Sequence, residues 1–164
     1  MEKKNNIAVY PGSFDPITKG HTDIIKRASK IFDKVYVAVL HNSAKNPMFT
    51  IPERIELIKR ITDEYDNVYI DTFSGLLVDY MEQIGANVII KGLRAISDFE
   101  YEFQMALMNH KLNRNIETMF LMTSAKYSYL SSSIVKEVAK YNGSLDGLVD
   151  ERIMDDIIRR AYKA

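Results

Sequence analysis

The side chains able to do chemistry fall in four stretches of the 164-residue chain, three of them directly after an apolar run. Near the N-terminus, Ile7-Ala8-Val9-Tyr10 leads into Pro11-Gly12-Ser13-Phe14-Asp15-Pro16-Ile17-Thr18-Lys19-Gly20-His21. Further on, Val88-Ile89-Ile90 runs into Lys91-Gly92-Leu93-Arg94, and the apolar run at 117–122 feeds Tyr127-Ser128-Tyr129-Leu130-Ser131-Ser132-Ser133. The fourth stretch is a polar loop holding Lys45 and Pro47. Together these supply hydroxyls, one histidine at the opening of a helix and three cations, with no obvious nucleophile–base pair. Such a set suits phosphate binding and phosphoryl or nucleotidyl transfer, where positioning and charge neutralisation provide most of the catalysis. Gly12 and Gly20 allow the backbone to approach a ligand, Pro11 and Pro16 stiffen the turn, and an anion at the helix opening meets free N–H groups.

Each stretch also has a plainer reading. The first is a Pro/Gly-rich turn with a helix-capping hydroxyl and a surface histidine. Lys45 in a polar loop reads as a solvated lysine, and Ser131-Ser132-Ser133 as a run of N-cap hydroxyls, which is compatible with phosphate at the same N-terminus. Lys91 and Arg94 follow a buried strand with glycine between them, a placement that favours function. His41 and His110 lack partners at metal or triad spacing and read as structural.

The elements that must position these residues follow from the hydrophobic pattern. Strands are expected at 7–10, 35–40, 68–70, 88–90 and 117–122, the second as a continuous apolar run covered on both faces. Helices alternate with them. One carries Ile24, Ile25, Ala28 and Ile31; the next opens with a capping box, Thr50-Ile51-Pro52-Glu53, and continues through Ile55, Leu57, Ile58 and Ile61. A helix at 76–84 stops at Gly85; another, at about 99–112, follows a capping pattern at Ser97 to Glu100. Helices at 134–141 and 151–161 complete the set. The expectation is a single α/β domain over residues 1–164, a Rossmann-like, doubly wound, five-stranded, mostly parallel sheet with helices on both faces. The four polar stretches then converge at one sheet edge.

Lys+Arg and Asp+Glu are both 22, so the chain lacks the bulk basicity that grips nucleic acid, and any anion site must be local. The absence of cysteine excludes disulfides, thiolate catalysis and cysteine metal sites. No apolar run approaches the roughly 18 residues that span a bilayer, and no signal-type region follows the N-terminus. A cytoplasmic protein with no nucleic-acid or membrane partner is the expectation.

The ordered motifs carry more than the composition. A first strand running into Gly-Ser-Phe-Asp-Pro and then Thr-x-Gly-His at the opening of the first helix resembles the nucleotidyltransferase superfamily with its (T/H)-x-G-H signature. Lys-x-Pro-Met-Phe-Thr from Lys45, Lys-Gly-Leu-Arg-Ala from Lys91, Asp-Phe-Glu-Tyr-Glu from Asp98 and Ser-Ser-Ser-x-Val-Lys-Glu from Ser131 extend the resemblance over nearly the whole chain. In this order they resemble the bacterial phosphopantetheine adenylyltransferase family. That resemblance implies transfer of AMP from ATP to 4′-phosphopantetheine, with Mg2+, in a homohexamer subject to feedback by coenzyme A. It further implies ATP contacts at Ser13, Phe14, His21, Gly92, Leu93, Arg94 and Glu102, and at Tyr127, Ser128, Tyr129, Leu130, Ser131, Ser132 and Ser133. Phosphopantetheine contacts fall on Ser13, Lys45, Leu77 and Lys91, and catalysis on His21, Lys45 and Arg94, with no protein ligand to a metal. Ser13 stands where threonine is frequent, Lys91 where some members have arginine, and Tyr127 where tryptophan occurs; lysine forfeits a bidentate grip on phosphate. The alternatives are a nucleotidyltransferase for nicotinamide mononucleotide or for a phosphorylated alcohol with CTP, and a non-catalytic nucleotide sensor.

Overall fold

The computed structural model describes residues 6–41, 47–94 and 96–162, the side chains of 96–98 excepted. Five strands, β1 (Ile7–Gly12), β2 (Lys34–Leu40), β3 (Val68–Phe73), β4 (Val88–Leu93) and β5 (Glu117–Met122), alternate with six helices. The helices are α1 (Lys19–Ala28), α2 (Ile51–Thr62), α3 (Leu77–Ile84), α4 (Ile96–Leu112), α5 (Ser132–Lys140) and α6 (Glu151–Ala161). Every strand pairing is parallel and the order is β3-β2-β1-β4-β5.

Strand side chains alternate between two apolar layers, as the two-residue period requires. Ala8 and Tyr10 of β1 and Val35, Val37 and Val39 of β2 join the core built with α1, α2, α5 and α6. Val9, Ala38 and Ile89 point the other way, onto Val78, Tyr80 and Met81 of α3. Both faces of the sheet are therefore covered, which is why the strands read as continuous apolar runs.

The helix ends follow local chemistry. At α2 the Thr50 N–H donates to Glu53 Oε2 at 2.8 Å while Thr50 Oγ1 accepts the Glu53 N–H at 3.5 Å, closing the capping box read from the sequence. Gly85 caps α3 at φ 69°, a left-handed conformation that glycine adopts without strain. Several boundaries differ from expectation: β1 runs on to Gly12, β2 opens at Lys34, β3 ends at Phe73, α3 opens at Leu77 and α5 spans Ser132–Lys140. Ile31 is 53% exposed because α1 stops at Ala28 with Ser29 as its cap. Lys91, Gly92 and Leu93 are not a loop but the end of β4, held in register with Phe120, Leu121 and Met122 of β5. The helix placed at 99–112 begins at Ile96, and the Ser97 and Asp98 side chains of its expected cap lie outside the described residues.

If the capping box sets the start of α2, Thr50→Ala should lower the unfolding free energy by about 0.5–2 kcal/mol. Urea denaturation with an unchanged m-value checks this; no loss would mean that Pro52 and packing alone fix the helix start.

Candidate active site

The cleft exists because β1 and β4 part company. β1 is paired with β2 along all six of its residues, from Ile7 opposite Lys34 to Gly12 opposite Val39. Against β4 only two pairs form, Ala8 with Val88 and Val9 with Ile89. Beyond them the strands diverge, and Pro11 has no N–H with which to extend a ladder. The chain order also reverses between β1 and β4, the point at which open α/β sheets bind ligands beyond the carboxyl ends of their strands. A cleft of about 400 Å3 opens there, lined by Tyr10 to Phe14, Thr18, Gly20, His21 and Ile24 on one side. Lys91, Gly92, Arg94, Glu102, Thr123 and Leu130 to Ser133 line the other.

At its floor the first turn of α1 makes a capping box in which histidine takes the usual place of glutamate. Thr18 Oγ1 accepts the His21 N–H at 3.4 Å, and the Thr18 N–H donates to His21 Nδ1 at 3.0 Å. A nitrogen that accepts a backbone N–H carries no proton, so the neutral ring is protonated on Nε2. Burial pushes the His21 pKa down from 6.5 to about 4, with Arg94 adding to the depression. At neutral pH the cleft is therefore offered an uncharged N–H donor of fixed orientation.

The ring is held edge-on by Phe14, centroids 5.1 Å apart, which in turn packs against Tyr10 at 5.3 Å. Phe14 is 2% exposed and sits at φ 46°, a left-handed conformation uncommon for a bulky residue and the kind of local strain that clusters at functional sites. Gly12 makes room for it: a Cβ there would come within 3.0 Å of the Phe14 ring. Gly92 does the same for α1, since a Cβ would meet Ile24 Cγ1 at 3.2 Å.

Across the cleft, Lys91 Nζ lies 3.1 Å from Glu102 Oε2 of α4. Glu102 Oε2 is buried and, among the described residues, has no hydrogen-bond donor beside this cation. Arg94 Nη1 donates to the Leu130 carbonyl at 3.2 Å, tying the end of β4 to the connection that precedes α5. Ser131 is the N-cap of α5, its hydroxyl accepting the Ile134 N–H at 3.2 Å. The Ser132 hydroxyl donates to the Pro16 carbonyl at 2.7 Å, so it fastens α5 to the β1–α1 loop. The N-termini of α1 and α5 thus face one cleft, each with the positive end of its dipole.

The structure brings Ser13, Phe14, His21, Lys91, Gly92, Arg94, Glu102, Leu130, Ser131, Ser132 and Ser133 together. Leu93 is buried behind the cleft. Tyr127 ends a short 3-10 turn, with Lys126 Nζ 4.7 Å above its ring. The Ser128 hydroxyl donates to the Ala125 carbonyl, and Tyr129 is exposed. These three residues flank the cleft and do not line it. Leu77 packs on the α3 side of the sheet, and Lys45 lies outside the described residues. Three residues that build the site escaped the sequence reading: Asp15, Arg54 and Lys136. Their partners are backbone groups and a carboxylate 33 or more residues away, the one exception being the Arg54 bond to Phe49. Asp15 and Lys136 stand inside the Gly-Ser-Phe-Asp-Pro and Ser-Ser-Ser-x-Val-Lys-Glu blocks, but nothing local shows what they hold.

A second cleft, about 520 Å3, lies between α2 and α6, where Arg60 pairs with Asp156 and Arg160 with Glu53. Among the described residues no cluster of three or more His, Cys, Asp or Glu could hold a metal, and no described helix is long and apolar enough to cross a membrane.

The fold and sequence match a known class. A model of the cytidylyltransferase-like family matches residues 9–138, and the chain belongs to that family. Within it, proteins named phosphopantetheine adenylyltransferase are close relatives. One from Clostridium botulinum (strain Eklund 17B / Type B) is 60% identical over 155 residues, 94% of this chain and 98% of the relative. Another from Clostridium tetani is 61% identical over 156 residues, covering 95% and 98%. The chain is a member of the phosphopantetheine adenylyltransferase family. Solved structures share the fold at low identity. A putative nicotinate-nucleotide adenylyltransferase from Vibrio parahaemolyticus superposes with TM-score 0.72 at 17% identity, over 94% of this chain and 99% of that one. Nicotinic acid mononucleotide adenylyltransferase from Plasmodium falciparum, complexed with NaAD, gives 0.69 at 14%, over 97% and 95%.

The depressed pKa of His21 has a stability consequence. Between about pH 6.5 and 4 the unfolded chain takes up a proton that the folded chain refuses, so unfolding free energy rises with pH across that window. The contribution is complete above about 6.5 and is lost as pH falls toward 4. NMR titration of the His21 ring should give a midpoint near 4, and His21→Gln should flatten the stability slope over the same window. A midpoint near 6.5 would mean that the ring is solvated and free to charge.

Proposed function

We propose that this cleft transfers AMP from ATP to 4′-phosphopantetheine, giving dephospho-coenzyme A and pyrophosphate, a step of coenzyme A biosynthesis, with the 164 residues acting as one catalytic domain. The observation that carries the reading is a neutral Nε2–H donor at the opening of α1, facing two cations and a second helix N-terminus in one cleft. It accords with the naming of relatives at about 60% identity over nearly the whole chain.

The chemistry is an in-line attack by the acceptor's phosphate oxygen on the α-phosphorus of ATP, with pyrophosphate leaving and no covalent enzyme intermediate. His21 donates to the α-phosphate oxygen as charge builds there. Arg94 and the first turn of α5, with Ser131, Ser132 and Ser133, receive the β- and γ-phosphates, where helix N–H groups have no intrahelical acceptor. Glu102 Oε2, buried without a donor, accepts from the nucleoside. Ser13, Lys45, Leu77 and Lys91 hold phosphopantetheine, and Lys91 exchanges its contact with Glu102 for the acceptor phosphate. Phe14, Gly92, Leu93 and the stretch from Tyr127 to Leu130 shape the nucleotide side. ATP enters as its magnesium complex, the ion held by phosphate oxygens and water. Coenzyme A, with the same pantetheine arm, competes for the acceptor position. ATP as substrate argues for the cytoplasm.

A homohexamer accords with α4, which presents Tyr101, Phe103, Leu107, Met108 and Leu112 to solvent, each at least 45% exposed. Phe99 and Phe103 stack there at 5.5 Å, and contiguous apolar surface of this kind marks an interface. Along the apolar face of this helix Phe99, Phe103 and Leu107 are exposed in the monomer and Ala106 is half-buried, which favours subunit contact over core. Light scattering should give a mass several times 18.9 kDa; a stable monomer at micromolar concentration would remove the assembly.

The activity is tested by pyrophosphate release with ATP or CTP crossed against phosphorylated acceptors, the expected productive pair being ATP with 4′-phosphopantetheine. His21→Ala should then lower kcat by about 10²–10³, or about 2.7–4 kcal/mol, with ATP affinity within a few fold. A stable variant turning over at a near-normal rate would leave His21 a helix cap and no more.

A further inference from the structure

Tyr10 is the first residue of β1 beyond the two that pair with β4, so its side chain stands where the cleft opens. Its ring packs edge-on against Phe14, centroids 5.3 Å apart, and lies 6.4 Å from the His21 ring at a tilt of 54°. The hydroxyl reaches toward β4, lying 3.7 Å from the position that a Cβ on Gly92 would take. The residue is 6% exposed, and no described residue hydrogen-bonds its hydroxyl. It lines the cleft together with His21, Arg94 and Glu102.

Packing does not account for the phenol oxygen. Phenylalanine would make the same ring contacts, and a hydroxyl buried without a partner is costly. Burial raises the phenol's pKa; Arg94 opposes the rise and Glu102 adds to it. At neutral pH the group is therefore an uncharged O–H with its proton free to donate. His21 brings a donor of the same kind to the same cleft. The cations Lys91 and Arg94 belong to the opposite wall. That division has a chemical use. Cations attract a polyanion before the reaction as strongly as during it. Neutral donors gain most when negative charge builds on the oxygens of the phosphorus under attack, so their effect falls on the transition state.

We propose that Tyr10 is a catalytic residue, its hydroxyl donating to a non-bridging oxygen of the α-phosphorus as the second neutral donor beside His21. The phenol keeps its proton throughout, and no bond is made or broken at Tyr10. The inference rests on the transfer of AMP proposed above. It gives chemistry to a residue that the sequence marks only as part of a strand.

Tyr10→Phe on the full chain tests it, because the change removes one atom that no described residue bonds. With ATP and 4′-phosphopantetheine, kcat should fall about tenfold to a hundredfold, while ATP affinity by calorimetry stays within about threefold. The two diastereomers of ATPαS, each with sulfur in place of one non-bridging oxygen, give a readout that packing does not move. Sulfur accepts a hydrogen bond weakly. Tyr10→Phe should therefore shift the ratio of their kcat values by about fivefold or more from that of the wild type. The ratio does not depend on the fraction of chain that is folded, so it decides even for an unstable variant. A near-normal kcat would overturn the proposal. ATP affinity lost with kcat kept would put the hydroxyl on the nucleoside, and a slower variant with the ratio unmoved would make it a prop for His21; either overturns it as well. Any of these results with an active wild type removes only this inference. A wild-type chain inactive toward 4′-phosphopantetheine removes the functional reading itself.

Discussion

The hydrogen bond from the Thr18 N–H to His21 Nδ1 is the contact on which the site depends. It fixes the ring's orientation and its tautomer, leaving the proton on Nε2, and burial keeps the ring neutral. The surrounding structure serves that geometry. Thr18 must be extended, at φ −121° and ψ 167°, to turn its N–H inward; Phe14 must occupy a left-handed conformation to brace the ring; Gly12 must lack a side chain to let Phe14 in. The Thr-x-Gly-His spacing is thereby a physical statement: N-cap, two helical residues' rise, and a histidine on the face where a capping carboxylate would otherwise reach back.

Charge is arranged on the same plan. Equal numbers of acidic and basic residues give the molecule no net charge, so positive potential has to be local, and it gathers at one edge of the sheet. There Lys91 and Arg94 meet the positive ends of α1 and α5. The Lys91 contact with Glu102 holds that cation at the wall of the cleft.

Much of this was legible in the residues. β5 and α6 fell on their observed bounds, since an apolar run flanked by polar residues and an amphipathic segment after Asp150 are local signals. The α2 start was equally readable, because a capping box is complete within four residues. What escaped depends on partners far away. Lys91 to Leu93 look like a loop until β5 supplies their hydrogen bonds, and Ile31 looks like core until α1 is seen to stop three residues earlier. The parts played by Asp15 and Arg54 were silent because they act on carbonyls and N–H groups, which leave no trace in composition. The motifs contain Asp15 and Lys136 beside the cleft residues, but not the distant groups that they brace.

The strand order has a consequence for how the molecule comes into being. During synthesis β1, β2 and β3 emerge first and can pair, but the partner for the other side of β1 arrives only with residue 88. Until then a buried strand of the finished sheet is an open edge, with unpaired N–H and C=O groups and apolar side chains exposed. The cleft comes later still, because it needs chain as far as Ser133. A nascent or truncated chain is therefore at once most prone to associate with others and least able to be rescued by ligand.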